Sequence, residues 1–141
     1  MRTVSFSALL HDIGKIAVSE LILDKPGRLT SEEYSIIKEH PATGARIIAD
    51  IPSYRKILPG VLYHHEHWDG SGYPEGLMGE AIPLNSRIIS IADVYDAISA
   101  ERPYRRGLER DDAIAFMEKN AGLLFDSMLL DQFLGTIKEE Q

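Results

Sequence analysis

Four of the five histidines in this sequence stand beside another potential metal ligand or at a helix break. Further along the chain, Asp93 lies in an apolar segment, where burial of an uncompensated carboxylate would be costly. A metal ion would compensate that charge, and so would a helix cap or an arginine partner. Imidazole and carboxylate donors suit Mn, Fe or Zn without selecting among them. The motifs are His11-Asp12, His40-Pro41 and His64-His65-Glu66.

Two of these motifs contain adjacent ligands, His11-Asp12 and His64-His65. Neighbouring side chains on a helix diverge by about 100°, so one ion cannot easily bind both in regular helical geometry. Two ions a few ångström apart can each take one residue while a carboxylate bridges them. The pairs therefore favour a dinuclear site. Each motif alone also fits a structural role, and His67 is assigned to the loop or to a supporting position.

The elements that must position these residues are helices, because apolar residues recur at helical spacing and alternating strand patterns are absent. Thr30 and Glu33 form a predicted capping box. A long glycine-rich connection, 66–83, is typical of a functional loop, and residues 16–30 are expected to be irregular. Helices are predicted over 3–13, 31–40, 42–50, 53–65 (with a break at Leu58-Pro59-Gly60), 84–100, 110–120 and 127–138.

The composition fits one soluble domain of 141 residues, with 44% hydrophobic and 26% charged residues. The sequence has no cysteine, which excludes thiol catalysis and thiolate metal sites. No apolar run approaches the roughly 20 residues of a membrane helix. No secretory signal is recognisable, so we expect a cytoplasmic protein without a membrane partner. The net charge of -7 argues against binding a nucleic acid polymer.

Five motif blocks together resemble the HD-GYP branch of the HD phosphohydrolase superfamily. Their order along the chain is that of the family, and the similarity runs from about residue 7 to residue 126. The blocks are His11-Asp12-Ile13-Gly14-Lys15, His40-Pro41-x-x-Gly44, His64-His65-Glu66 continuing to Asp69-Gly70-Ser71-Gly72-Tyr73-Pro74, Arg87-Ile88 with Ala92-Asp93-x-Tyr95-Asp96-Ala97, and Arg102-Pro103-Tyr104-Arg105.

The resemblance implies a single all-α domain over 1–141, an HD helical bundle with a long GYP loop. It further implies a metal centre that hydrolyses cyclic di-GMP to pGpG, GMP or both through a metal-activated hydroxide. Two divalent ions are expected; Fe or Mn is favoured, and Zn, Ni or Mg is the alternative. Asp12 resembles the bridging carboxylate, His11 and Asp93 resemble ligands of one ion, and His40, His64 and His65 resemble ligands of the other.

The resemblance also assigns substrate contacts to Lys15, Tyr73, Arg102 and Arg105, with Lys15 in a catalytic role. Lys15 follows His11 by four residues and Asp12 by three, so on continued helix it shares their face. It could stabilise charge on the reacting phosphate, or it could simply form a salt bridge. Tyr73 offers a ring for stacking on guanine and could equally anchor its loop. The two arginines could clamp phosphate, and Arg105 could equally cap a helix.

The sequence departs from the family pattern at its beginning. Only ten residues precede His11, and none of them is His, Asp or Glu, so the ion expected at His11 and Asp93 lacks one ligand. The chain could be a fragment, another subunit could complete the site, or the site could be reduced. We expect a homo-oligomer or an upstream regulatory domain. The alternative functions are hydrolysis of a different cyclic dinucleotide or nucleotide, and a non-catalytic or weakly active signalling module.

Overall fold

The computed structural model describes residues 2–101 and 106–139, and within these ranges it contains eight α-helices and no strand. The prediction of an all-α fold is confirmed. No helix in these ranges is long and apolar enough to cross a bilayer. Short 3-10 turns lie at Ile13–Ala17, Pro52–Tyr54 and Gly79–Ala81. The helices are α1 Arg2–Leu10, α2 Glu20–Leu23, α3 Ser31–Ile37, α4 His40–Ala49, α5 Leu58–Leu62, α6 Leu84–Ser99, α7 Arg110–Lys119 and α8 Ser127–Glu139.

The best-predicted elements are those with clear boundary residues. The ends of α6, α7 and α8 agree with the sequence prediction to within one residue. The capping box of α3 is confirmed: the Thr30 hydroxyl accepts from the Glu33 amide at 3.2 Å, and the Glu33 carboxylate accepts from the Thr30 amide at 2.7 Å. Lys25 pairs with the same carboxylate at 2.7 Å.

Three predicted segments were wrong in detail. The helix predicted over 53–65 is a 3-10 turn followed by α5, and α5 begins at Leu58 with Pro59 in its first turn, where proline is tolerated. The helix predicted over 3–13 ends at Leu10. Residues 16–30 were expected to be irregular but contain α2. Both adjacent pairs of candidate ligands therefore lie in turns after helices.

Two apolar clusters form the core, and α6 lies between them. On one side α6 packs against α7 and α8, and on the other side against α1 and α5. Leu84, the first residue of α6, is 51% exposed. The first cluster comprises Ile91, Ile114, Met117, Phe125, Leu130 and Leu134; the second comprises Ile48, Ile57 and Val61.

Glycines permit the close packing that aligns the ends of α1, α4 and α5. A Cβ on Gly14 would overlap the carbonyl of His40, so the turn after α1 lies directly on the start of α4. A Cβ on Gly60 would lie 2.5 Å from the Ser7 Cβ, so α5 and α1 are equally close. The buried Ser7 hydroxyl donates to the Ile57 carbonyl at 3.2 Å. These contacts bring three candidate ligand segments to one place.

Candidate metal centre

One predicted ligand set converges at this place. One ligand atom from each of Asp12, His40, His64 and His65 lies within 4.8 Å of the others. Asp12 belongs to the turn after α1, His40 is the first residue of α4, and the two adjacent histidines follow α5. His40 and His64 are each only 1% exposed. The resemblance assigned these four residues to the same ion.

Backbone carbonyls orient three of the imidazoles in the same way. The Nδ1 atoms of His11, His40 and His64 contact carbonyl oxygens three residues earlier, at 2.6, 2.7 and 2.8 Å. A carbonyl oxygen can only accept, so each Nδ1 carries the proton and donates it. In the neutral ring, Nε2 then presents a lone pair. This is the arrangement in which histidines bind metal.

The lone pairs of these rings face acceptors rather than donors. Nε2 of His40 lies 3.3 Å from Nε2 of His64 and 3.2 Å from Oδ1 of Asp12. Nε2 of His11 and Oδ1 of Asp12 are buried without a hydrogen-bond partner. Buried acceptors that face each other need a shared cation or proton. The donor set therefore fits a divalent metal ion with nitrogen and oxygen ligands.

His11 and Asp93 lie on the other side of Asp12. Nε2 of His11 is 3.4 Å from Oδ2 of Asp12 and 3.5 Å from Oδ1 of Asp93. The partner of the Asp93 carboxylate is thus a histidine. Because Oδ1 of Asp12 faces His40 while Oδ2 faces His11, one carboxylate contacts both groups of candidate ligands.

Burial keeps two of the histidines neutral. Burial, assisted by the neighbouring His65, lowers the pKa of His64 to about 3. Burial, assisted by His40, likewise lowers the pKa of His65 to about 4. Neutral imidazole is the form that binds metal, so neither ring must lose a proton at neutral pH.

Around Asp12, in contrast, the pKa shifts favour the charged forms. Burial opposes ionisation of Asp12, but a proton shared with the His40 ring and the ammonium of Lys15 outweigh it and hold its pKa well below the usual range. Burial also disfavours protonation of His11, yet Asp93, the Ala8 carbonyl and the charge of Asp12 together raise its pKa. The centre therefore combines an ionised carboxylate with imidazole rings that can donate a lone pair to a metal ion.

Adjacency and the resemblance gave different expectations for His64 and His65. Adjacency alone favoured two ions, whereas the resemblance gave both residues to one ion, and in the structure both belong to the same cluster of four. Their divergence was derived for a regular helix, whereas the two residues lie in the turn after α5. Their ring centroids are only 4.1 Å apart.

The predicted substrate residues lie around this cluster where the structure describes them. Lys15 Nζ pairs with Oδ2 of Asp12 at 2.6 Å. The continued helix on which the shared face was predicted is absent, since α1 ends at Leu10 and Lys15 lies in a 3-10 turn. The Tyr73 ring stacks on His65, with centroids 4.8 Å apart and an angle of 23°. Arg102 and Arg105 lie outside the described residues.

Sequence reasoning missed two residues beside the cluster. Glu66 is 2% exposed, and its carboxylate accepts from the backbone of the glycine-rich loop rather than binding with the histidines. Its position between the ligand pair and the glycine-rich loop was the available signal. Lys38 Nζ lies 4.9 Å and 5.2 Å from the ring centroids of Tyr34 and Tyr73; no sequence motif pointed to it. His67 bonds to Ser71 at 2.9 Å, in the predicted loop role.

A family model described as HD domain matches residues 1–129. The chain belongs to the HD-domain family. This agrees with the resemblance carried by the motif blocks, and a solved structure of the HD-GYP type shares the fold. In this HD-domain chain, Asp12 belongs to the ligand cluster, and His11 lies between Asp12 and Asp93 on the other side of it.

Curated relatives of the chain are phosphodiesterases of bacterial cyclic dinucleotides. A cyclic di-GMP phosphodiesterase response regulator of Xanthomonas campestris is 44% identical over 95% of this chain and 36% of its own length. A 3'3'-cGAMP-specific phosphodiesterase of Vibrio cholerae is 45% identical over 85% of this chain and 26% of its own length. A cyclic di-GMP phosphodiesterase of Thermotoga maritima is 41% identical, with coverages of 96% and 38%. The chain thus spans about a third of these relatives.

Solved structures share the fold. A Bdellovibrio bacteriovorus protein of the HD-GYP type superposes with a TM-score of 0.75 at 22% identity, over 97% of this chain and 44% of that one. A cyclic GMP-AMP phosphodiesterase of Vibrio cholerae gives a TM-score of 0.69 at 22% identity, over 98% and 38%.

Proposed function

We propose that this HD-domain chain is a metal-dependent phosphodiesterase that hydrolyses cyclic di-GMP to pGpG, GMP or both. The observation that carries the proposal is the convergence of Asp12 with three histidines, of which His40 and His64 place their buried Nε2 atoms 3.3 Å apart. The names of relatives 41% and 44% identical to the chain support this substrate.

We further propose two ions, with Fe or Mn preferred. His40, His64 and His65 would hold one ion, His11 and Asp93 the other, and Asp12 would contact both. The orientation of the two Asp12 oxygens supports this division. When bound, such ions supply an activated water and neutralise the phosphodiester charge.

Residues of the chain itself would bind and orient the substrate. Lys15 lies at the edge of the cluster, held by Asp12, and would donate to a non-bridging phosphate oxygen and stabilise its charge. Lys38, held over two tyrosine rings, adds a second cation on the Tyr73 side. Tyr73 would line the base-binding side. Arg102 and Arg105 remain proposed phosphate contacts.

Two alternatives have specific support. Hydrolysis of 3'3'-cGAMP is supported by a relative of that specificity at 45% identity. A weakly active or non-catalytic binding module is supported by the ligand pair His11 and Asp93. These two residues share Asp12, and the described residues add no further histidine to them.

The deciding experiment combines metal analysis with hydrolysis of cyclic di-GMP and of 3'3'-cGAMP. The wild type is expected to hold close to two ions per chain and to cleave cyclic di-GMP faster. Asp12→Ala and His64→Ala are expected to abolish cleavage. His67→Ala is the matched control, because His67 contacts Ser71 and lies outside the cluster. One ion or none, with cyclic di-GMP bound but intact, would contradict the enzyme and favour the module.

We also propose that the chain works in the cytoplasm as a homo-oligomer or beside a regulatory domain. Leu9, Ile16 and Leu21 are 77%, 79% and 86% exposed. Several exposed apolar side chains on one protein favour its association with another surface. An apolar groove of about 590 Å³ between α4 and α5 is a further exposed apolar feature. Light scattering of the purified chain tests self-association, and a concentration-independent monomer would contradict the homo-oligomer.

A further inference from the structure

The Glu66 carboxylate accepts hydrogen bonds from three consecutive backbone amides of the glycine-rich loop. Oε1 accepts from the amides of Glu75 and Gly76 at 2.7 and 3.1 Å, and Oε2 accepts from the amide of Leu77 at 3.0 Å. Hydrogen bonds from amides to a buried carboxylate are among the stronger ones in proteins. Glu66 therefore fixes the path of residues 75–77.

The same loop is fixed to the metal cluster at a second point. The Tyr73 amide donates to the His65 carbonyl at 3.1 Å, and the Tyr73 ring stacks on the His65 ring. A Cβ on Gly72 would lie 2.5 Å from both the Glu66 Cα and the His65 carbonyl oxygen. Residues 72–77 thus lie directly against the turn that carries the ligands.

We propose that Glu66 is a positioning residue that holds the glycine-rich loop, and through it Tyr73, in place for the substrate. Because Glu66 follows His65 in the chain, one turn presents metal ligands on one side and fixes the substrate loop on the other. Glu66 does not bind metal in this scheme, since both of its oxygens are occupied by amides. The effect on substrate rests on the proposed function; the effect on the loop does not.

The test is Glu66→Gln, which keeps the size of the side chain. One amide oxygen can still accept, but the NH2 group replaces the acceptor that faces a loop amide, so at least one hydrogen bond is lost. The matched control is Glu75→Gln. The Glu75 side chain accepts from the Tyr63 hydroxyl at 3.1 Å, a bond that a glutamine oxygen can keep, and the three loop amides donate to Glu66 instead.

Three readouts are measured on the metal-loaded chain. Hydrogen exchange of the amides at 75–77 is expected to accelerate at least tenfold in Glu66→Gln and to stay unchanged in Glu75→Gln. Metal content is expected to stay the same. The KM for cyclic di-GMP is expected to rise about tenfold, while kcat changes less than threefold, because loop order affects substrate binding more than the reacting atoms.

Unchanged exchange in Glu66→Gln would overturn the proposal, and so would a loss of metal or a fall in kcat at constant KM. If the wild type hydrolyses no cyclic dinucleotide, the proposed function fails. Faster exchange with unchanged metal content would then still support the role of Glu66 in the loop, and unchanged exchange would still refute it.

Discussion

Lowering the pH from 7 to 5 is expected to destabilise the metal-free chain through His64 and His65. Both rings are buried and neutral in the fold, with pKa values of about 3 and about 4. In the unfolded chain a histidine titrates near 6.5. Below that pH the unfolded state binds more protons than the folded state, so stability is lost as the pH falls.

The magnitude follows from these pKa values. Between pH 7 and pH 5 each of the two histidines removes about 2 kcal/mol of unfolding free energy, or about 4 kcal/mol together. His67, whose pKa burial also lowers, acts in the same direction. His11 acts in the opposite direction because its pKa is raised, so the net loss is below the sum. Asp12 scarcely contributes here, since carboxylates titrate near 3.9 when unfolded.

The assay is urea unfolding of chelator-treated protein at both pH values, followed through the fluorescence of Trp68, the one tryptophan of the chain. The informative variant is His64→Asn, which can still donate to the Val61 carbonyl but does not titrate. Its loss of stability between pH 7 and pH 5 is expected to be about 2 kcal/mol smaller than in the wild type. Equal losses in both proteins, or a wild type more stable at pH 5 than at pH 7, would refute the reasoning.

Three further outcomes are expected. Mn²⁺ at a hundredfold excess over its Kd is expected to raise the unfolding free energy by about 2.7 kcal/mol, and no such gain is expected in His40→Ala; an equal gain in that variant would locate binding elsewhere. Gly14→Ala is expected to lower the unfolding free energy by about 1–3 kcal/mol and to weaken metal binding, because its Cβ would displace the His40 backbone. Urea unfolding and metal titration check these two effects, and a wild-type metal affinity would contradict the second one. Asp126→Ala is expected to lower the unfolding free energy by about 3 kcal/mol, because Asp126 pairs with Arg87 at 2.7 Å and caps α8 by accepting from the Met128 amide at 3.0 Å. Urea unfolding measures the loss, and a value below about 1 kcal/mol would show that neither contact matters.

Local rules were sufficient where a signal acts within a few residues. The capping box at Thr30, the start of α8 after Asp126 and the long periodic helix α6 were all predicted from neighbouring residues. The same rules failed at 53–65, where Pro59 was taken to mark a break and instead belongs to the first turn of α5. The ligand types were also readable from sequence, because imidazole and carboxylate side chains stand in recognisable motifs.

The amino-acid sequence by itself determined the helical class, the donor atoms of the candidate centre and the motifs that place the chain in the HD-domain family. Only the tertiary structure decided how His64 and His65 reach one cluster, since they do so through a turn whose geometry no helical period describes. It also decided what Glu66 contacts, because its partners lie nine to eleven residues further along the chain. Such contacts depend on how the loop folds back, and that depends on packing rather than on local spacing.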